Sequence, residues 1–116
     1  MNIYTAQYRY SGTDRLDITV KGNTYPGSFL APTWEIVQGI KNGKITQWDY
    51  TIKYFAVILD RVAKGGGLAL KEIAENKEEI TLVCFCPPNT FCHRVLAARL
   101  LEELGLGKYL GERLLS

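Results

Sequence analysis

A chain of 116 residues with 47% hydrophobic and 22% charged side chains is long enough to bury a core without disulfide staples, and its composition excludes disorder as the main state. The net charge of +2, with Lys and Arg scattered, gives no charge argument for a nucleic-acid or membrane partner. Three cysteines, an odd number, exclude a fully paired disulfide framework of the secreted kind.

Residues 2–10, NIYTAQYRY, are rich in Tyr and run into the turn signal SGTD, which predicts a strand. In RLDITVKGN (15–23), Leu16, Ile18 and Val20 alternate with Asp17, Thr19 and Lys21, the period of a strand with one buried face. After the loop GNTYPGSFLAP, Thr33 is placed to cap a helix through WEIVQGIKN, which Gly43 ends. In TQWD, Thr46 takes a second cap position with Asp49 three residues on, close to a capping box. Behind it Trp48, Ile52, Phe55, Leu59 and Val62 recur at spacings of four and three, and this stripe is the expected core face. Trp34 is expected in the core as well. GGG at 65–67 breaks the chain before a shorter helix at about 68–77. EITLVCFC (79–86) is a near-continuous apolar run that suits a strand buried on both faces, and PPNT stops it. Residues 91–104 follow as an amphipathic helix with Gly105 at its C-terminal cap, and the tail GKYLGERLLS fits a short strand or a turn.

The order β-β-α-α-α-β-α predicts an α/β fold of two or three layers: one domain over 1–116, with a mixed or parallel sheet flanked by helices and a Rossmann-like strand–loop–helix unit. The start MNIYTAQYRY lacks the pattern of a secretion signal, and no apolar run reaches the roughly 18–20 residues of a membrane span. The expected setting is therefore a reducing cytoplasm, with no membrane partner and with thiols free or metal-bound.

Every cysteine and the one histidine fall within CFCPPNTFCH, residues 84–93, and Arg94 follows. In open α/β sheets, sites form beyond the carboxyl ends of strands, where loops enter helix N-termini. Free backbone N–H groups there favour anions and stabilise thiolates. Asn89 or Thr90 is placed as the cap, with Cys92 and His93 in the first turn. At about 100° per residue, Leu96, Ala97, Leu100, Leu101 and Leu104 form the apolar face, with His93 near its middle and Arg94 on its flank. Cys84 and Cys86, two apart on a strand, share one side.

Three readings of the cluster stand open. In the first, Cys86 or Cys92 supplies a thiolate, His93 is its acid/base partner, and Arg94 with Asn89, Thr90 and the loop amides holds a phosphate or carboxylate. In the second, Cys84, Cys86, Cys92 and His93 ligate zinc; their spacing differs from that of paired zinc ligands, and three of them plus water is the variant. In the third, the cysteines simply pack as small apolar side chains. Asp17, Thr19 and Lys21, on the polar side of the second strand, are further pocket candidates whose plain alternative is a solvated face. Tyr50 and Tyr54, one helical turn apart, are pocket candidates whose plain alternative is a core rim.

At LVCFC…CHR the sequence resembles the domain of unknown function 488 family, whose members show an apolar strand ending in Leu-Cys-x-Glu, a short loop, and Cys-His-Arg opening a helix. Cys84 matches the first cysteine, and Cys92, His93 and Arg94 match the second motif. IYTAQYRY looks like that family's first strand and RLDITV like its Leu-x-Asp-Val-Arg strand, which puts Asp17 at the family aspartate. The resemblance thus spans nearly the whole chain. Cys86 stands where the family usually has glutamate, and Thr19 where it often has arginine. LDITVKG and FLAPTW look like a compact branch found in bacteria and their phages. The resemblance implies an α/β fold and a Cys/His/Arg pocket with a role in nucleotide or nucleic-acid metabolism, and it implies no particular reaction.

The combined expectation is a small cytoplasmic enzyme. Arg94 and the loop amides would bind a phosphate-bearing substrate, a nucleotide or nucleic acid, beside a cysteine–histidine pair. The alternative is a non-catalytic binding module stabilised by zinc through Cys84, Cys86, Cys92 and His93. Neither the reaction class nor a cofactor is readable from the residues.

Overall fold

In the computed structural model, which describes residues 1–86 and 91–114, four strands form one sheet. They are β1 (Asn2–Gln7), β2 (Arg15–Asp17), β3 (Glu79–Cys84) and β4 (Lys108–Glu112), in the order β2-β3-β1-β4. Every pairing is parallel. Residues 80–84 of β3 are all buried, as the unbroken apolar run predicts for a strand with neighbours on both edges. The β2 strand is shorter than its alternation implies: after Asp17 the chain leaves the sheet and turns. Of the tail's two readings, the strand is the observed one.

The helices are α1 (Trp34–Lys41), α2 (Gln47–Arg61), α3 (Gly67–Ala74) and α4 (His93–Glu103). Thr33 caps α1 by accepting from the Ile36 N–H, and Thr46 with Asp49 completes both halves of a capping box on α2. Gly65, at φ 102°, makes the break between α2 and α3 in a left-handed conformation that glycine adopts without steric penalty. Gly105, at φ 77°, does the same just past α4.

The expected core face of α2 is overturned. Trp48 is 71% exposed and Ile52 and Leu59 are each 50% exposed, while Tyr50, Tyr54 and Ile58 are buried. Hydrogen bonding explains the reversal. The Tyr54 hydroxyl donates to the Leu30 carbonyl at 2.6 Å, and Arg61 donates to the Phe29 and Ala31 carbonyls at 2.8 and 2.7 Å. These bonds satisfy the backbone of the Gly27–Leu30 turn, which a purely apolar helix face would leave unpaired. Trp34 is likewise exposed, and so is Leu104, the residue that follows α4.

One core cluster joins Ile3, Ile80, Leu82 and Cys84 of the sheet to Ile36, Tyr54, Ile58, Ile73 and Leu101 of the four helices. The sheet side chains in it alternate along their strands, so the helices cover one face. On the other face Thr81 donates to Asp14 at 2.6 Å, and Arg113 lies 3.8 Å over the Tyr4 ring. The result is a two-layer α/β fold. Its carboxyl strand ends, at Asp17, Cys84 and Glu112, all rise toward the start of α4.

Candidate functional site

β3 ends on Cys84, and α4 starts at His93 with Cys92, in extended conformation, as its cap residue. The helix therefore begins later than the apolar pattern predicts. Asn89 and Thr90 lie outside the described residues. Strand end and helix start bring three donor atoms together: one each from Cys84, Cys92 and His93, all within 4.8 Å of one another. Cys84 and Cys92 are buried thiols, and Cys86 is half-buried.

The Nε2 of His93 lies 2.8 Å from the Ile18 carbonyl oxygen. A carbonyl only accepts, so Nε2 carries the proton and Nδ1 presents its lone pair in the neutral ring. Nδ1 lies 3.8 Å from the Cys92 sulfur. Burial holds His93 below its ordinary pKa, which keeps the ring neutral. Asp17 fixes the turn that carries the Ile18 carbonyl: its Oδ1 accepts from the Thr19 N–H at 2.9 Å and the Thr19 hydroxyl at 2.7 Å, and the Thr19 oxygen accepts from Gly22 N–H. Asp17 and Thr19 are thus engaged with their own turn.

Arg94 is 1% exposed. Its guanidinium makes a two-pronged pair with Glu112 of β4, at 3.0 and 2.7 Å. It also donates to the Cys84 sulfur at 3.1 Å and the Cys86 carbonyl at 2.9 Å. Burial alone would lower its pKa, but the Glu112 and Cys84 contacts outweigh this and raise it. Cys84 is held well below the ordinary thiol range, first by hydrogen bonds from Cys86 and Cys92 and further by Arg94, against the effect of burial. The same contacts raise Cys86 and Cys92, whose protons are shared toward Cys84. The Arg94 N–H thus favours the charged form at Cys84 over the other two sulfurs.

The cluster opens into a cleft of about 590 Å³, within the usual range for small-molecule sites. Cys86, Cys92 and His93 line its floor, while Cys84 sits beneath them. Trp34, Tyr50, Phe85 and Phe91 supply aromatic walls, and Lys21 and Lys41 the cationic groups. Among the described residues no carboxylate lines it. Tyr50 meets Phe91 edge-on at 5.1 Å, and burial pushes its hydroxyl above the usual tyrosine pKa. Tyr54 lies below the cleft in the core rather than on its lining.

Sequence reasoning left Phe85, Phe91, Lys41 and Glu112 out of the site and put Trp34 in the core. Phe85 is stacked on Tyr8 at 4.1 Å, with Arg15 4.5 Å over the far ring, and it remains 57% exposed. Lys41 comes from the last turn of α1, where a cation reads simply as a helix-dipole partner. Glu112 comes from the tail, where no local signal ties it to Arg94.

Among known proteins, a family model described as DUF488-N3a, active DUF488-N3 subclade, matches residues 2–105. No curated protein and no solved structure matches the chain significantly.

Proposed function

Because the chain belongs to the DUF488 family, in a subclade described as active, we propose that it is a small enzyme acting on a planar, anionic, phosphate-bearing substrate of the nucleotide type. The observation that carries the reading is the lining of the cleft. Aromatic walls and two lysines, with no described carboxylate, stand over a floor of Cys86, Cys92 and His93.

Each part has a physical counterpart in such a substrate. Phe85, braced from behind by Tyr8 and Arg15, is a preset surface for a base to stack on. Lys21 and Lys41 meet the phosphate as flexible point charges. Arg94 acts through others: it positions Cys84 and ties the β3 end to β4. Cys86, the half-buried sulfur on the cleft floor, is the thiol a bound substrate meets.

Nucleoside monophosphates titrated into the protein test this reading by calorimetry. Binding is expected to weaken roughly tenfold or more in Phe85→Ala, as loss of a stacked base predicts, and similarly in a Lys21→Glu/Lys41→Glu variant. Bound nucleotide is expected to slow alkylation of Cys86. Failure of every nucleoside phosphate to bind in the millimolar range defeats the proposal.

A further inference from the structure

We infer that Cys84, Cys92 and His93 form a zinc site with one coordination position open to the cleft. This goes beyond the substrate reading and stands on separate observations.

The first is distance. Zinc with sulfur ligands at about 2.3 Å and a nitrogen ligand at about 2.0–2.1 Å has ligand–ligand edges of about 3.6–3.8 Å when tetrahedral. Cys92 Sγ and His93 Nδ1, 3.8 Å apart, already match such an edge, and all three donors lie within 4.8 Å, a looser set that would contract around the ion. The two residues are adjacent in sequence, which argues against a shared ion on a regular helix. Cys92, however, is the extended cap residue and only His93 is helical, so their side chains can converge.

The second observation is the support behind each donor. Ligating histidines commonly donate their other ring N–H to a carbonyl or carboxylate, which fixes the tautomer. His93 does this through Nε2 to Ile18, in a turn that Asp17 holds. The Cys84 sulfur accepts an N–H from Arg94 at 3.1 Å. The charges also balance: two thiolates and a neutral imidazole offset a divalent ion, and Glu112 offsets Arg94.

The third is access. Cys92 and His93 line the cleft floor, so an ion has an entry path and a face left for a fourth ligand. Three protein ligands with one open position are the arrangement of catalytic rather than structural zinc. Cys86 stands at that opening and is not among the three.

Cobalt(II) titrated into reduced, metal-free protein, followed by zinc competition, tests the site. Saturation at a single equivalent, with sulfur-to-cobalt charge-transfer absorption that zinc abolishes, is expected. Cys84→Ser, Cys92→Ser and His93→Gln are each expected to lose stoichiometric binding, and Cys86→Ser to keep it. Loss in Cys86→Ser equal to that in Cys84→Ser marks a closed four-ligand site and overturns the open position. Absence of the charge-transfer band in the wild-type protein overturns the site whether or not the variants fold. Nucleotide binding to the zinc-free protein, measured separately, tells this failure from failure of the substrate reading.

Discussion

Arg94 is a cation almost sealed from solvent, and its Glu112 partner is mostly buried too. Removing one member of such a pair leaves the other charge without compensation, which costs about 3–5 kcal/mol. Arg94→Ala is expected to lose stability in that range by urea denaturation. Arg94→Lys should recover little, because an ammonium cannot reproduce the two-pronged geometry. The double change Arg94→Met/Glu112→Leu should recover part of the loss, since apolar replacement removes both desolvated charges together but also takes the Arg94 donor from the Cys84 sulfur and the Cys86 carbonyl. At this scale the sequence was partly legible. The clustering of Cys84, Cys92, His93 and Arg94 between strand and helix was plain from their order, and the wheel put His93 and Arg94 on the sheet side of α4. The destination of the guanidinium was not, because its carboxylate lies 18 residues away in a tail with no distinctive pattern.

At the level of the element, α2 offers a test within one residue type. Ile58 is fully buried and Ile52 is half exposed. Ile58→Ala is expected to cost about 2–5 kcal/mol, and Ile52→Ala, on the face chosen by hydrophobic spacing, under about 1 kcal/mol. Thermal or urea melts of the two variants decide it; equal losses would restore the Trp48 stripe as the core face. The helix itself was legible to within its caps, because Thr46 and Asp49 announce its start. Its orientation was not, because apolarity alone ranks tryptophan and leucine above tyrosine. Tyr54 and Arg61 win the inner face through bonds to carbonyls of a turn far away in sequence. The strands show the complementary case. β3 was readable because burial on both faces leaves an unbroken apolar run, whereas β2 ended early once Asp17 engaged its own turn.

For the molecule as a whole, the uncovered face of the sheet is closed by polar contacts, and these respond to acid. Asp14 accepts from Tyr10 and Thr81, each at 2.6 Å, and pairs with Arg113. Burial alone would raise its carboxyl, but the Thr81 and Tyr10 hydrogen bonds outweigh it and hold the pKa below the usual value. A carboxyl lowered in the folded state adds stability above its unfolded pKa of about 3.9, and that stability is lost as pH falls through the folded value. Urea denaturation across the acid range is expected to show this loss, and Asp14→Asn to flatten it; an unchanged profile would remove Asp14 as a source. The α/β class was readable from the alternation of elements. The coverage of the second face by a short loop and Arg113 was not, because it depends on how β1 crosses to β2.

The family match ends at residue 105, yet Glu112 on β4 holds the arginine beneath the thiols. Any minimal fragment cut at that boundary would discard the counter-ion of Arg94 together with the β4 edge of the sheet. Tags, fusions and trimmed versions of this chain therefore have to spare the segment through Arg113.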